Sequence, residues 1–496
     1  MNNSSEEKYQ EITEKATRGA GWNYLTFGST KILTLVTLSI LARLLPPEDF
    51  GLVALATLTM DYLAVISDLG FGAAVIQRKG NIKEAANIAF TINLLANITL
   101  TIIIFLVAPL AADFFREPQV TPILRWLSLT FVFKAAGSIH NVLLERELNF
   151  KRKIIPELGS SIFRAIISIG LALSGFDVWA LVIGQLAGVA ATSILLWMLV
   201  PWKPSFTWHA GTARELFSFG FSIMGINALS AWEDNFDYLI IGRIFNAAAL
   251  GVYTIAYRLP ETLIMNTMWV LTAVLFPAFS ALQDDKDSLK RGLLTTIRYV
   301  QLLITPLCLG MVIAADPLIR VAFGEQWVGA IPILRVISLY TLVTSISFHA
   351  GDVYKAIGRP DILLKLAIPM VPLRLVALWI GAQYSILGVA YAHLGVEIIS
   401  TAINLIILRR MINITFFEVV RELKAFVGGG VLALFAIPAL HLTEAYAPIF
   451  RLIIVTIAGG IGYIGTIWII ERRSLLAALR MLGVTYFNEK EDESIQ

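Results

Sequence analysis

Fourteen predominantly apolar runs, each long enough to cross a bilayer, constrain this 496-residue chain to fold inside a membrane. Their approximate limits are 20–44, 50–76, 85–112, 121–143, 154–174, 177–199, 213–242, 248–277, 293–315, 331–355, 362–382, 385–408, 422–440 and 447–470. A spanning helix needs about 20 such residues because hydrocarbon offers its backbone no hydrogen-bond partner. Only 15% of residues are charged and 57% are hydrophobic, whereas a soluble domain carries about a quarter charged. Lipid must therefore cover much of the surface. The expected fold class is an all-α integral membrane protein of about 14 transmembrane helices. Pro109, Pro156, Pro260, Pro306, Pro369 and Pro372 lie in or beside these runs and predict kinks.

The placement of positive charge orients the chain. With the N-terminus in the cytosol, and charges within two turns of a run's cytosolic end counted with that side, cytosolic segments hold 27 of the 39 Lys and Arg residues. Outer loops hold five, Arg43, Arg116, Arg243, Arg320 and Arg451, and the other seven fall within spans. That bias follows the positive-inside rule and puts both termini in the cytosol. Residues 1–19 read as a polar cytosolic lead-in without a cleavable signal, and 471–496 as a cytosolic tail. A net charge of +3 gives no footprint for nucleic acid. The single Cys308 sits in an apolar run and reads as a core residue.

The chain also repeats itself. Pro122-Ile-Leu-Arg125-Trp-Leu-Ser-Leu129 recurs as Pro332-Ile-Leu-Arg335-Val-Ile-Ser-Leu339, and Arg43 with Gly51 aligns with Arg243 and Gly251. On the second offset the acid Asp61 meets the acid Glu261. Six spans separate the copies, so the halves share one topology, as in parallel transporter repeats. The expected organisation is an N-lobe over 20–199 (spans 1–6), a stiff cytosolic linker over 200–212, and a C-lobe over 213–410 (spans 7–12). Spans 13 and 14, over 411–470, have no counterpart. Two pseudo-symmetric six-helix lobes suggest alternating access around a central seam.

Signals for catalysis are absent from the sequence: no Walker A, no HExxH, no cysteine cluster. His393 and Glu397 are spaced i,i+4 and read as a polar pair within span 12. Gly460-x-Gly462-x-x-Gly465 matches a dinucleotide fingerprint literally but lies inside an apolar run, where small residues serve close helix packing. No metal and no cofactor are expected, and the chain reads as a transporter and not an enzyme.

Ionisable groups at bilayer depth carry the functional information, because they are costly and face the bundle interior or a wet cavity. Lys31, Lys134, Arg164, Arg258 and Arg374 lie deep, and several cations in a seam suggest an anionic substrate. Arg125 and Arg335 sit near span ends, where snorkelling suffices. Asp61 and Asp68 share a helix face, as do Glu157 and Arg164. Asp237 and Glu233, with Asp234 beside them, are placed to hold Arg243 or Arg258, or to take protons in a coupling cycle. Both roles stay open, as does coupling to H⁺ or Na⁺ through Asp61, Asp68, Asp237 and Glu261.

Ala42-Arg43-Leu-Leu-Pro-Pro-Glu-Asp-Phe50-Gly51, Ser67-Asp68-Leu-Gly70-Phe-Gly72 and Gln77-Arg78 resemble the start of Wzx-type polysaccharide flippases, in particular the colanic-acid exporter branch. Glu145-Arg146-Glu147-Leu-Asn-Phe150, Pro201-Trp202-Lys-Pro204, Asp237 to Arg243, Leu250-Gly251-x-Tyr253, Ala256-Tyr257-Arg258, Phe276-Pro277-Ala278 and Ala356-x-Gly358-Arg359-Pro360 are similar to it too. The resemblance covers residues 20 to about 410. It implies the fold of the multidrug/oligosaccharidyl-lipid/polysaccharide exporter superfamily. It also implies a polyprenyl-pyrophosphate-linked oligosaccharide, flipped across the inner membrane for lipopolysaccharide or exopolysaccharide biosynthesis. Arg43, Asp237, Arg243 and Arg258 sit inside matched motifs; Lys31, Lys134, Arg164 and Arg374 rest on burial alone. Implied partners are the lipid-linked oligosaccharide, membrane lipids, and the polymerase and glycosyltransferases of the same pathway. A cation-coupled multidrug exporter and a non-transporting scaffold of a glycan-assembly complex are the alternatives.

Overall fold

A computed structural model describes residues 28–64, 75–76, 81–147, 150–205, 209, 211 and 235–481. Among them there is no strand. Eleven helices are long and apolar enough to cross a membrane. Each falls on one of the expected spans, with ends that differ by a few residues; Ile82–Phe115, for instance, extends the expected 85–112 at both ends. The three remaining expected spans, 20–44, 50–76 and 213–242, lie partly outside the described residues. What is described of them is helical over 28–44, Pro47–Ala64 and Phe236–Ile244. Asp68, Glu233 and Asp234 lie outside the described residues.

The chain divides into two compact units, with the division between Thr254 and Ile255. In the first, α1 (28–44), α2 (Pro47–Ala64), α3 (Ile82–Phe115), α4 (Val120–Arg146), α5 (Phe150–Leu173), α6 (Val178–Leu199) and α7 (Phe236–Ile244) precede the start of α8 (Ala247–Ala281). Antiparallel neighbours α3–α4 and α5–α6 pack as hairpins, and α4 also packs on α2 and α6. The α3–α4 turn is closed by Arg116, whose left-handed backbone (φ 60°) returns its N–H to the carbonyls of Ala112 and Asp113. Residues 200–205 are tied to this unit: Asn87 Nδ2 donates to Ser205 Oγ at 2.6 Å, and the His140 ring, tilted against Trp197 and edge-on to Trp202, reaches the Trp202 carbonyl at 3.2 Å.

The second unit continues α8 and adds α9 (Lys286–Ile313), α10 (Ala315–Ala322), α11 (Ala330–Ala356, bent after Ser347), α12 (Asp361–Tyr384), α13 (Ile386–Ile412), the short α14 (Phe416–Glu422), α15 (Ala425–Leu442), α16 (Pro448–Ile470) and α17 (Arg472–Met481). Helices α15 and α16 pack on each other and on α9. Small residues allow that approach, but not quite the expected set. A Cβ on Gly462 would meet Phe435, one on Gly459 would meet Leu432 and Ala436, and one on Gly428 would meet Tyr463; Gly460 and Gly465 face open space. Cys308 is fully buried, as its apolar surroundings require.

The repeat is visible in helix register. Helix α4 begins two residues before Pro122 and α11 two residues before Pro332. Ile123, Leu124, Leu127 and Ser128 are buried, and so are their counterparts Ile333, Leu334, Ile337 and Ser338. The same side chains thus face the core in both copies, which is why the octapeptide recurs.

Candidate functional site

In the first unit Lys134 on α4 lies within electrostatic reach of Asp61 on α2. Tyr62, the next residue, lies within reach of both Asp61 and Asp237. Asp237, 3% exposed, accepts a 2.6 Å hydrogen bond from the Tyr253 hydroxyl through Oδ2, while Oδ1 accepts the Tyr238 N–H at the start of α7. A polar track therefore runs from Lys134 through Asp61, Tyr62 and Asp237 to Tyr253, drawing on α4, α2, α7 and α8. The sequence offered Arg243 or Arg258 as the group held by Asp237. The structure shows the Tyr253 hydroxyl, sixteen residues on, as a partner of Asp237.

Arg243 sits at the C-terminal end of α7, where a cation favours the helix dipole, and its guanidinium lies 5.4 Å from the Phe114 ring centroid. Arg125 stacks likewise on Phe105 at 4.5 Å and donates from Nε to the Phe105 carbonyl at 3.2 Å. Aromatic and carbonyl contacts of this kind suit snorkelling residues. Arg335, its repeat partner, is exposed. Arg43 ends α1 on the surface, Lys31 is half-buried on α1, and Arg164 is exposed on α5 with its Cβ against Gly188. Glu157, expected to share a face with Arg164, lies 3.5 Å from Lys153.

The second unit holds two of the predicted cations, and both have acids beside them. Helix α8 is interrupted after Pro260 by a π-turn over Glu261–Met265, where Asn266 donates from its backbone N–H and its Nδ2 to the Glu261 carbonyl. Such a turn bends a helix and re-aims its side chains. Here it brings Glu261 to Arg258, with Nη1 to Oε2 at 3.1 Å, and leaves the two side chains 41% and 39% exposed. Arg374, near the middle of α12, lies 3.6 Å from Glu397, near the middle of α13, at 18% and 9% exposure. Buried beside them are His393 and Tyr340, ring centroids 5.4 Å apart, with Tyr257 and Thr344 within hydrogen-bonding reach of Tyr340. The sequence paired Glu397 with His393 along one helix; the cation comes from the preceding helix.

A third cluster escaped sequence reading as a unit. At the bend in α11 the buried His349 bonds Asp352 (Nδ1 to Oδ2, 2.9 Å). Thr272 donates to the same oxygen at 3.0 Å, and Lys355 stands 3.8 Å from Oδ1. The signal was present in His349-x-x-Asp352 at i,i+3 within an apolar run. A depression of about 570 Å³ lined by Pro46, Glu48, Asp49, Gln119, Asp177 and Trp179 lies at loops of the first unit, apart from these cations. No group of His, Cys, Asp and Glu able to hold a metal occurs among the described residues.

Exposed charges within spanning helices, such as Lys134 and Arg164, require water or a counter-charge rather than hydrocarbon. The chain thus presents membrane-embedded cations, some held by acids yet still accessible.

Comparison with known proteins gives a consistent result. The family model described as polysaccharide biosynthesis protein matches residues 40–332. The chain is 26% identical over 400 residues to teichuronic acid biosynthesis protein TuaB of Bacillus subtilis (strain 168), covering 79% of this chain and 82% of that one. It is 26% identical over 400 residues to lipopolysaccharide biosynthesis protein WzxC of Escherichia coli (strain K12), covering 79% and 80%. Succinoglycan biosynthesis transport protein ExoT of Rhizobium meliloti (strain 1021) matches at 28% over 323 residues, 65% of each chain. Lipid II flippase MurJ, in an inward closed conformation, superposes with a TM-score of 0.68 at 14% identity over 90% of this chain and 98% of that one. An inward-facing multidrug resistance MATE family transporter of the MOP superfamily gives 0.62 at 15% identity, covering 77% and 94%. The fold implied by the sequence resemblance is the fold found.

Proposed function

We propose that this chain, which belongs to the polysaccharide biosynthesis protein family, is a flippase that moves a polyprenyl-pyrophosphate-linked oligosaccharide from the cytosolic to the outer leaflet of the inner membrane. The observation that carries this reading is the state of Arg258. A guanidinium within a spanning helix needs water or a counter-charge, and Glu261 supplies a counter-charge from a π-turn while both groups stay accessible. A phosphate oxyanion offers Arg258 a bidentate partner of better geometry than one carboxylate oxygen. Arg374, held at 3.6 Å by Glu397, is a second cation of the same kind. Lys31, Arg43, Lys134, Arg164 and Arg243 extend the set.

The names of relatives support the substrate class: a succinoglycan transport protein and a lipid II flippase share the family sequence and the fold respectively. Alternating access would carry the anion between leaflets. Glycosyltransferases would supply the lipid-linked unit on the cytosolic side, and a polymerase would take it outside. No bond is made or broken in this reading, so the chain is a transporter without catalysis.

A second reading, cation-coupled drug export, is favoured by the accessible Asp61 and the buried Asp237, with Glu261 as a further ion site. The deciding experiment is deletion followed by complementation. Loss of the protein should leave lipid-linked units on the cytosolic face, and Arg258→Ala should fail to restore surface polysaccharide although it reaches the membrane. Unchanged polysaccharide with increased drug susceptibility would replace flipping by drug export. Full complementation by Arg258→Ala together with Arg374→Ala would leave a scaffold.

A further inference from the structure

The α13–α15 corner carries a feature unrelated to transport itself. Span α13 ends at Ile412 and Asn413, whose left-handed backbone (φ 55°) turns the chain. Span α15 begins at Ala425. Between two adjacent spanning helices, this segment lies at the membrane surface. It is ordered by a capping box: Thr415 Oγ1 accepts the Glu418 N–H, and Glu418 accepts the Thr415 N–H at 2.8 Å.

One face of α14 is anchored. Val419 and Ile414, each 1% exposed, enter a core with Leu289, Leu293, Ile297, Leu408 and Ile412. The acids of α14 are both paired with cations of a neighbouring helix. Glu418 meets Lys290 at 2.5 Å and Glu422 meets Arg298 at 2.5 Å, both cations coming from α9. What remains outside is apolar and positive. Phe416 is 63% exposed, Phe417 82% and Val420 46%. Arg409, Arg410 and Arg421 are exposed and make no ion pair among the described residues. The adjoining spans continue the apolar surface with exposed Ile406 and Val427.

We propose that this corner is a binding site for anionic phospholipid headgroups, with Phe416, Phe417 and Val420 seated in the leaflet and Arg409, Arg410 and Arg421 on the lipid phosphates. Aromatic side chains beside cations at the ends of spanning helices suit the interface, where ring and charge are both satisfied. The pairing of both acids with α9 separates this face from a mixed-charge surface built for a soluble protein partner. Juxtamembrane arginines are drawn to acidic leaflets. The inference rests on the membrane fold alone and does not depend on what the chain transports.

The test uses the full chain in vesicles of phosphatidylcholine, with and without phosphatidylglycerol. Phe417→Cys gives a labelling site, because the native Cys308 is fully buried. An environment-sensitive fluorophore at position 417 should be quenched by lipid-borne nitroxide and shielded from aqueous iodide. Separately, Arg409→Gln, Arg410→Gln and Arg421→Gln together should lower the phosphatidylglycerol retained through purification by about tenfold relative to phosphatidylcholine. A water-exposed probe, shielded only when a soluble protein is added, would overturn the proposal in favour of a protein partner. Equal phosphatidylglycerol retention by a folded triple variant would overturn the headgroup contacts. The probe measurement stands even where the triple variant does not fold.

Discussion

Gly51 and Gly251, equivalent residues of the internal repeat, lie against the starts of each other's helices. A Cβ on Gly51 would overlap the Ala247 carbonyl, and one on Gly251 would overlap the Pro47 carbonyl and crowd the Gly51 backbone nitrogen. Each stands four residues after the first residue of its helix, Pro47 in α2 and Ala247 in α8. The two glycines remove their side chains from one crossing point, so the backbones touch there.

Substitution at either glycine is therefore expected to act through backbone overlap rather than lost helix flexibility. Gly51→Ala or Gly251→Ala should destabilise the protein by about 1–3 kcal/mol, the usual cost of forcing atoms into filled space. Because both changes push on one contact, the double variant should fall short of the sum of the singles. Thermal unfolding of the purified proteins in one detergent checks this. Additive losses would show that the two positions act independently.

Much of the fold was legible because hydropathy is a long-range average: eleven runs read from apolar content return as helices with nearly the same limits. The repeat was legible because the core face needs the same residues in both copies, Ile123 and Leu124 matching Ile333 and Leu334. Pairings between helices were not. Asp237 reads as seeking a cation, yet its hydroxyl donor is Tyr253 on the next helix, and no charge pattern marks a neutral partner. Glu397 reads with His393 on its own helix, while Arg374 reaches it across the α12–α13 hairpin. Pro260 announced a kink without revealing that a π-turn would re-aim Glu261. The α14 helix is too short for hydropathy to register, and its only local mark is Thr415 with Glu418 three residues on.

The Asp237–Tyr253 contact yields a second prediction. A buried carboxylate hydrogen-bonded at 2.6 Å draws on a charge-assisted bond, which contributes about 1.5–3 kcal/mol. Tyr253→Phe should lower stability by that order. Asp237→Asn combined with Tyr253→Phe should cost less than the sum of the two single changes. A double-mutant cycle on melting temperature supplies the measurement, and a coupling energy near zero would assign the effect of Tyr253 to ring packing.

Arg258 and Glu261 should separate stability from transport. Both are about two-fifths exposed, and an ion pair that open contributes roughly 0–1 kcal/mol to stability. Glu261→Gln should therefore leave the melting temperature nearly unchanged. Arg258→Ala should do likewise while abolishing complementation of polysaccharide export. Arg258→Lys, which keeps charge but loses the planar fork, should restore export only in part. A large drop in melting temperature for Arg258→Ala would return the residue to a structural role.

The link between α14 and α9 should show its own pH dependence. The Glu418 carboxylate is pushed down to about 2 from an ordinary value of 4.5, first by its hydrogen bond with Lys290 and then by the Thr415 backbone N–H and hydroxyl. A carboxylate with a lowered folded-state value binds its proton more readily when unfolded, so the contact stabilises the fold above about pH 4.5. The contribution fades as pH falls from there toward 2. Glu418→Gln should melt below wild type by a constant margin between about pH 5 and 8, and the margin should shrink below about pH 4.5. Melting of both proteins across that range is the measurement. A margin that stayed constant down to about pH 2 would mean that the capping hydrogen bonds, which glutamine partly retains, matter less than side-chain packing and that the Lys290 charge does not hold α14 in place.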